Sequence, residues 1–466
     1  MLALVSFAVA AGVTVRPGDD INTLTSSLAA GSEVIFSGGT YSITDPLQWT
    51  AAGTAANPVI LRAADGEKPI IEYAGDWRAV GIVESSHLVV RGLSFRGGAG
   101  WDGKRATGIV IENSSAITVE DGEISNFGYI GVYAAGDSSE LTLSRLHIRD
   151  VGDGAGIYAG CWDASCWTQD SLFANNWIHD IGGVSGYGDG ISLDHGDNNV
   201  VIQDNVIHDT ARGGIACRST EYSPANVVTG NAVWNTVEFG IRADGAVTVR
   251  NNVVFGVDGY GLYGRNSERD TLQDAVFSHN TIADTTSYGI AIEGWAGRTG
   301  MVLANNLVIN PIGLGVDLDA EGAADVGNTI LQNVVSGYIS YGEHLPEDWP
   351  DGFLSGYGEA DVLDYAGHDF YLASGSAAVN TADASAAAWV PATDFNGAPR
   401  DGEAPDVGAY ERDGAANPGW AISEGFKVAG YVDKPAMVGG CCESKGKGGE
   451  AALLLFGALG LVRRRR

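Results

Sequence analysis

A short phrase that begins with glycine returns along most of the chain, and this repeat restricts the possible folds more than any other feature. Its clearest copy is GISLDH at residues 190–195, and neighbouring copies lie 21 to 34 residues apart. A near-fixed period of this size indicates a solenoid, in which each repeat is one unit stacked on the next. The related copies begin at Gly108, Gly131, Gly156, Gly214, Gly240, Gly261, Gly289 and Gly315.

Each copy alternates between apolar and polar or small residues, as in Ile191, Ser192 and Leu193. A period of two predicts a strand with one buried face. A second apolar run follows about ten residues later and ends in asparagine. We interpret these asparagines as a structural ladder of stacked amides. They are Asn176, Asn205, Asn231, Asn252, Asn280, Asn306 and Asn333.

The repeat resembles that of the pectate-lyase-like superfamily over roughly residues 30–345. The resemblance implies an all-β fold, a right-handed parallel β-helix solenoid with an N-terminal cap. We expect the cap within residues 14–75, with a short helix at 21–28, and coils from about Val59 onward. Function does not follow from the resemblance, because one fold hosts many chemistries.

The chain is strongly acidic, with 58 Asp and Glu against 27 Lys and Arg and a net charge of -31. This charge argues against nucleic acid or an anionic membrane surface as a partner. It also disfavours an acidic polysaccharide unless cations or a local basic patch intervene. We expect a soluble extracellular monomer.

The two ends of the chain carry features of an exported protein. Residues 1–13 are apolar and contain the small-residue site AVA at 8–10, which indicates a signal-peptide-like segment. We assign residues 14–411 to the β-helix with its N- and C-terminal caps and 412–440 to a linker. The stretch at 393–411 resembles a closing motif of bacterial surface β-helix proteins. We interpret it as a final strand and end cap in which Arg400 and Asp406 pair.

Residues 441–466 form a tail with Cys441 and Cys442, an apolar run at 451–462 and four terminal arginines. Twelve apolar residues are few for a helix that must cross a bilayer. The tail resembles the C-terminal sorting tail of myxobacterial surface proteins. This resemblance implies secretion or display on the outer surface of a Gram-negative bacterium, removal of the tail, and lipid attachment at one of the two cysteines. A simple tail anchor is the alternative, and membrane contact is expected only through this tail.

Cys161 and Cys166 flank WDAS inside the longest coil, and we predict a local disulfide there because exported proteins favour such bonds. His179-Asp180 and His208-Asp209 recur after the second strand. Recurrence at a turn favours a structural His–Asp contact over catalysis.

Two outward columns of the repeating strand carry the candidate site. Neighbouring coils lie about 4.8 Å apart, so residues in one column are close together. The second position after each glycine holds Val110, Tyr133, Tyr158, Ser192, Ala216, Arg242, Tyr263, Ala291 and Asp317. The fourth position holds Glu112, Ala135, Gly160, Asp194, Arg218, Asp244, Arg265, Glu293 and Asp319.

These columns predict a groove for an extracellular polysaccharide, most plausibly one that contains uronates. Arginine forks fit carboxylates, and aromatic side chains stack on sugars. We therefore assign substrate binding to Tyr133, Tyr158, Arg242 and Tyr263. We assign catalysis to Asp194, His195, Arg218, Asp244 and Arg265.

Several functions stay open at this point. The leading one is a uronate polysaccharide lyase; the coils lack lysine after Lys104, so Arg218, Arg265, Tyr263 or His195 would have to be the base. Ca²⁺ is the one cofactor considered, with Asp194 and Asp244 as its ligands.

Three alternatives remain. The stretch at 192–219 resembles the catalytic stretch of mannuronan C5-epimerases, but it lacks the proline of their motif, and Gly213 replaces the second histidine. An inverting glycosidase would use Asp194 and Asp244, if these lie about 6.5–9.5 Å apart. In a non-catalytic surface or adhesion scaffold, the opposite charges would simply pair.

Overall fold

The alternating repeats form a right-handed parallel β-solenoid of about 11 turns with almost no helix, as predicted. This computed structural model describes residues 12–98, 105–183, 186–218, 225–267, 269, 271–319, 328–341, 351–355, 358–400, 404–412, 422 and 427. Each regular coil contributes one strand to each of three faces, and all pairings between coils are parallel.

Face one begins the coil. Its strands are Val13–Val15, Leu28–Ala29, Glu33–Phe36, Ala51–Ala52, Val59–Ala63, Ser86–Arg91, Ser115–Glu120, Ser138–Ser139, Thr142–Ser144, Thr168–Ala174, Asn198–Gln203, Asn226–Thr229, Val247–Arg250, Val276–Ser278, Val302–Ala304 and Thr329–Leu331. Face two follows, with strands Gly39–Ile43, Pro69–Tyr73, Ser94–Gly97, Glu123–Phe127, His147–Val151, Trp177–Ile181, Val206–Thr210, Thr281–Thr285 and Phe353–Ser355.

Face three completes the coil and carries the glycine-led phrase. Its strands are Leu47–Trp49, Arg78–Val83, Thr107–Glu112, Ile130–Ala135, Ala155–Ala159, Asp189–Leu193, Gly213–Arg218 and Tyr288–Ile292. Four longer strands run from face two into face three. They are Ala232–Asp244, Val253–Gly264, Leu307–Leu318 and Asn333–Tyr341.

The apolar residues of the repeat point inward and stack from coil to coil. One column pairs Ile191 with Ile215, Ile215 with Ile241, and Ile241 with Leu262, and all four are fully buried. Because every coil repeats this column, the interior is one continuous apolar core.

The glycine of each phrase is required by close packing between coils. A Cβ atom at Gly190 would lie 2.4 Å from Cγ2 of Ile207 and 2.7 Å from the main-chain oxygen of Gly214. A Cβ atom added at Gly214 would clash in the same way, since it would lie 2.2 Å from the side chain of Val233 and 2.6 Å from the main-chain oxygen of Gly240. This contact explains why the sequence keeps glycine at this place.

The asparagine ladder is confirmed. The side-chain amide of Asn205 donates to Oδ1 of Asn231 at 2.9 Å, and that of Asn231 donates to Oδ1 of Asn252 at 3.0 Å. The main-chain N–H of each asparagine donates to the same oxygen. All members are fully buried, so the ladder satisfies polar groups at a corner that water does not reach. The ladder comprises Asn176, Asn205, Asn231, Asn252, Asn280, Asn306 and Asn333.

We expect Asn231→Ala to lower the free energy of unfolding by about 3 kcal/mol, because it leaves the buried main-chain N–H of Asn205 without an acceptor and removes the side-chain bonds to Asn205 and Asn252. Denaturant unfolding monitored by circular dichroism measures the loss. The control is Asn22→Ala at an exposed helix position. Equal effects of the two substitutions would contradict the role of the ladder.

The recurrent His–Asp pairs make the predicted structural contact. Nδ1 of His179 lies 2.7 Å from Asp180, and Nδ1 of His208 lies 2.5 Å from Asp209. Both aspartates have positive φ, a conformation that aspartate tolerates better than most residues. The rings belong to an outward stack on face two, whose members are His147, Trp177, His179, His208, Trp234 and Phe255.

The stack is expected to make stability depend on pH. Burial, aided by neighbouring His179, lowers the pKa of His147 from 6.5 to about 4. The neutral imidazole is therefore favoured in the folded state. The contribution of this neutral imidazole to the free energy of unfolding is fully present above pH 6.5 and is lost as the pH falls towards 4. In His147→Phe, which keeps a ring but does not titrate, we expect the unfolding free energy to fall less over this interval.

Thermal unfolding at a series of pH values tests this expectation. His87→Asn is the control, because His87 lies on face one outside the ring stack and has a positive φ that asparagine accepts. If the two variants had the same pH dependence, the stack would not be the cause.

The N-terminal region joins the stack earlier than expected. Val13–Val15 already pairs with Glu33–Phe36, so coil stacking starts before Val59, and Val13 belongs to a strand. The capping helix is short, at Ile21–Thr25, with Asp20 accepting the N–H of Thr23. The other residues of the signal-like segment up to residue 11, and the tail with Cys441 and Cys442, lie outside the described residues.

In the C-terminal segment, the described residues 358–400 and 404–412 do not add the final strand to the solenoid that the sequence suggested. The segment contains a short antiparallel pair, Val362–Asp364 with Asp369–Leu372, and it packs on the outer side of face two. Phe395 and Tyr410 bury there against outward residues such as Val253 and Leu307. In this position the segment covers the outward-facing apolar side chains of face two, which alternate along each strand with the side chains that point into the core.

Arg400 holds this segment in place. Its Nη1 atom donates to the main-chain oxygen of Asp406 at 3.1 Å and to Glu411 at 2.9 Å, so the predicted pairing involves the backbone of Asp406 and a different carboxylate. Lys427, in the predicted linker, is buried and donates to Asp204 at 2.9 Å. In the described part of the chain, no helix is long and apolar enough to span a membrane.

Candidate functional site

The outward columns of face three have the predicted register. Tyr133 pairs with Tyr158, Tyr158 with Ser192, and Ala216 with Arg242. In the second column Arg218 pairs with Asp244. The fixed spacing of the coils therefore brings residues from distant parts of the sequence to one place on the outer surface.

A cleft of about 380 Å³ opens at this place. One side is formed by Trp162, in the loop that the Cys161–Cys166 disulfide closes, and another by Tyr187. Nη1 of Arg269 donates to the main-chain oxygen of Asp163 at 2.9 Å, which joins the loop to a later coil. The polar residues that line the cleft are Tyr158, Asp189, Ser192, Asp194, His195, Arg212, Arg218, Arg242, Arg265, Ser267 and Arg269.

Asp194 is the centre of the floor. Its Oδ2 atom accepts the hydroxyl of Tyr158, and its Oδ1 atom lies 3.5 Å from Nη1 of Arg218 and 3.5 Å from Nε2 of His195. Burial raises the pKa of Tyr158, and the charge of Asp194 raises it further, so the phenol is protonated near neutral pH. One carboxylate thus contacts a phenol, an imidazole and a guanidinium.

Asp197 fixes the turn that carries Asp194. Its two carboxylate oxygens accept the N–H of Thr168 at 2.6 Å and the N–H of Asp194 at 3.1 Å. Burial raises the pKa of Asp197 well above its ordinary value, and these two N–H groups oppose the rise. Thr168 lies two residues after Cys166, at the end of the disulfide loop that forms the cleft wall. Asp197 therefore connects this wall to the floor of the cleft, where Asp194 lies.

The arginines of the floor are held by buried carboxylates. Nη2 of Arg242 lies 2.7 Å from Asp244, and Nε of Arg218 lies 4.0 Å from the same carboxylate. Nη1 of Arg212 donates to Asp189 at 3.0 Å. Burial raises the pKa of Asp189, and the charge of Arg212 is the largest opposing influence. These contacts hold the guanidinium groups before any ligand arrives.

The structure brings together six of the predicted site residues. Asp194, His195, Arg218, Arg265, Tyr158 and Arg242 all line the cleft. The other three predicted residues do not line it, and they are Asp244, Tyr133 and Tyr263.

The catalytic role expected of Asp244 does not fit its position, because the residue is fully buried beneath Arg242 and Arg218. Its carboxylate can position the arginines but cannot reach a substrate. Tyr133 packs edge-on against Tyr158, with ring centres 5.4 Å apart. Tyr263 donates its hydroxyl to Glu293 and stacks on Tyr260.

Sequence reasoning did not assign Asp189, Trp162, Tyr187 or Arg269 to the site. Asp189 directly precedes the glycine of the clearest repeat, so its place before Gly190 was a usable signal. Trp162, Tyr187 and Arg269 lie in irregular segments between strands, where the repeat gives no register.

We expect Asp244→Asn to lower the free energy of unfolding by about 3–5 kcal/mol, because it leaves buried Arg242 without a counter-charge. Denaturant unfolding measures the loss. The matched control is Asp121→Asn, which breaks an exposed ion pair with Arg145 and is expected to cost less than about 1 kcal/mol. A small loss in both variants would show that Asp244 does not hold the arginines.

The cleft does not fit the Ca²⁺ site that the sequence left open. Among the described residues, no group of three or more His, Cys, Asp or Glu side chains is arranged to hold a metal ion. Asp189, Asp194 and Asp244 each lie within 4.0 Å of an arginine instead. Calcium prefers six to eight oxygen ligands, and no step proposed below uses it.

The stacked coils and the lateral cleft define a solenoid protein of the parallel β-helix class. The family model described as "right handed beta helix region" matches residues 76–233, 168–311 and 234–335, which together span more than half of the chain. The chain belongs to this right-handed β-helix family.

Solved structures with the same fold include two kinds of enzyme. Pectate lyase Pel9A superposes with a TM-score of 0.55 at 13% identity, over 88% of this chain and 98% of that one. The A-module of mannuronan C-5 epimerase AlgE4 from Azotobacter vinelandii gives a TM-score of 0.55 at 17% identity, over 67% and 90% of the two chains. At these identities the similarity concerns the fold.

One curated protein is similar in sequence over a short stretch. Pectate lyase PEL9 of Emericella nidulans is 41% identical over 63 residues, which is 14% of this chain. The chain therefore spans only 15% of the length of this relative.

Proposed function

We propose that this protein is a polysaccharide lyase that cleaves a uronate polymer by β-elimination in the cleft of face three. The observation that carries the proposal is the convergence of five arginines on this cleft, in a chain whose net charge is -31. Among the described residues, two carboxylates line the cleft beside them, those of Asp189 and Asp194. The cleft is thus the local basic patch that an acidic polymer would need.

The arginines would bind and neutralise the uronate carboxylate. A guanidinium fork matches a carboxylate in shape and charge. Arg242 is buried, Arg218 is partly buried, and both are held by carboxylates. Arg265 lines the cleft from the coil after that of Arg242. Neutralising the carboxylate makes the hydrogen on the adjacent C5 more acidic, because the negative charge that develops at C5 when the proton leaves is delocalised onto this carboxylate.

Two further side chains would move the protons. His195 accepts the C5 proton, since imidazole is the commonest general base in enzymes. The C5–H electrons form the C4=C5 double bond, and the C4–O4 bond breaks. The phenol of Tyr158, which burial keeps protonated, donates its proton to O4.

Asp194 would couple the two proton transfers. It contacts Tyr158 through Oδ2 and lies 3.5 Å from Nε2 of His195 through Oδ1. After elimination the histidine holds an extra proton and the tyrosine lacks one. The carboxylate between them offers a route by which the starting protonation states return.

A C5-epimerase is the second candidate, because it also begins with removal of the C5 proton. The fold shared with AlgE4 and the layout of residues 192–219 support it. Epimerisation returns a proton to C5, whereas elimination leaves a double bond, so the products separate the two reactions. The glycosidase alternative loses support, since Arg218 lies between Asp194 and the buried Asp244.

The test is an ultraviolet assay for unsaturated uronate on pectate, alginate and glycosaminoglycans, each with Ca²⁺ and with chelator. We expect absorbance to rise with wild-type protein on one of these polymers. We expect Arg218→Ala, Tyr158→Phe and His195→Asn each to lower kcat by about 10²–10⁴-fold. Tyr288→Phe, on the same face outside the cleft, is the control.

Folded wild-type protein that released no unsaturated product from any of the polymers would rule out the lyase. Proton exchange at C5 without chain cleavage, followed by NMR in heavy water, would then identify the epimerase. The absence of both reactions would favour the non-catalytic surface scaffold.

We also propose that the protein acts outside the cell. The Cys161–Cys166 disulfide supports this, because such bonds persist in oxidising compartments. The signal-like segment and the tail with Cys441 and Cys442 remain the sequence basis for surface sorting. Mass spectrometry of the protein recovered from its native surface would show whether the tail is removed and whether a cysteine carries lipid.

A further inference from the structure

Aromatic and arginine side chains continue beyond the cleft towards the N-terminal coils. They lie at the edge where face three begins. Main-chain N–H groups of one coil donate to carbonyl oxygens of the coil before it at this edge: Thr107 to Trp77, Tyr129 to Ala106, Gly188 to Gly154 and Arg212 to Gly188. We call this set the aromatic–arginine row, and its members are Trp77, Arg78, Arg105, Tyr129, Tyr187 and Arg212.

Two pairs in the row hold an arginine against an aromatic ring. The guanidinium carbon of Arg78 lies 4.0 Å from the centre of the Trp77 ring, and that of Arg105 lies 4.3 Å from the centre of the Tyr129 ring. Trp77 is 59% exposed, although a large aromatic side chain is usually covered. Each pair has one exposed member, Trp77 in the first and Arg105 in the second. Pairs of this kind suit a ligand surface, because the ring and the cation are already oriented.

The row is continuous with the cleft. Tyr187 and Arg212 line the cleft, and the main-chain oxygen of Tyr129 lies against Gly154, which also lines it. Gly154, between them at the mouth, has no side chain to block the passage. Five coil spacings separate Trp77 from Arg212, a length of about 24 Å, which accommodates several sugar residues.

The opposite side of the cleft has aromatic residues but the wrong charge for an anionic polymer. Tyr260 stacks on Tyr263 there, and Tyr338 is 46% exposed. The charged side chains around them are mainly acidic and include Asp258, Glu293, Asp317 and Asp319. In the row, by contrast, the carboxylates of Glu112 and Asp153 are each matched by an arginine, at 3.6 Å from Arg78 and 3.8 Å from Arg105. A uronate chain would be repelled on this side and attracted on the other.

We propose that the aromatic–arginine row binds the continuing uronate polymer, so that the chain extends from the cleft towards the N-terminal coils and not towards the C-terminal ones. This inference rests on the proposed function, because it takes the same polymer as its occupant. Aromatic rings stack on sugar rings and the arginines pair with their carboxylates. The consequence is a preference for long chains over short oligosaccharides.

The test measures binding and cleavage as functions of chain length. Full-length wild-type protein, Trp77→Ala and Tyr129→Ala are compared on uronate oligosaccharides of increasing length. Affinity is measured by calorimetry in a His195→Asn background, and cleavage is measured in the active protein. For long chains we expect each substitution to raise Kd and KM about tenfold, with kcat unchanged. For the shortest oligosaccharides that fill the cleft we expect no change.

Tyr338→Ala is the control, since it removes an exposed aromatic ring from the acidic side. The same length dependence in wild-type and Trp77→Ala proteins would overturn the proposal. So would an equal effect of Tyr338→Ala. If the protein bound long chains through the row but released no unsaturated product, the lyase proposal would be refuted and the row proposal would stand. If the protein released unsaturated product but showed no dependence on chain length, the row proposal would be refuted and the lyase proposal would stand.

Discussion

The whole structure depends on one constraint, which is that a single coil can neither bury its apolar side chains nor pair all of its backbone groups. Each coil has apolar side chains on its inner surface and unpaired backbone groups on both edges, and both needs are met only by the next coil. The amide ladder adds side-chain hydrogen bonds at a buried corner, as from Asn205 to Asn231. The glycine column, with Gly190 against Gly214, permits the close approach of the coils.

The same stacking builds the candidate site. Asp194, Arg218 and Asp244 come from three consecutive coils, and parallel pairing fixes their distances without any special loop. Buried ion pairs cost desolvation energy, so they are weak evidence for stability. Here they hold guanidinium groups at the floor of a cleft, where a preformed positive surface is useful to an anionic ligand. The stability that they cost is supplied by the long apolar core.

Irregular segments complete what the regular coils begin. The disulfide loop with Trp162 forms one wall of the cleft, and Asp197 ties that wall to the turn that carries Asp194 through two main-chain N–H groups. The C-terminal segment covers the outer side of face two. The cleft on face three gathers five arginines, and Asp244 holds two of them, Arg218 and Arg242.

The sequence by itself determined the period, the strand that carries the site, the asparagine ladder, the disulfide and the register of Tyr158, Arg218 and Arg242. These features are local or strictly periodic, so counting residues is enough to find them. Only the tertiary structure decided that Asp244 is buried under its arginines, that Tyr187 and Arg269 reach the cleft, and that residues 358–412 pack on the side of the solenoid. Those outcomes depend on side-chain packing and on irregular segments that fold back across several coils, and a repeat pattern contains no information about either.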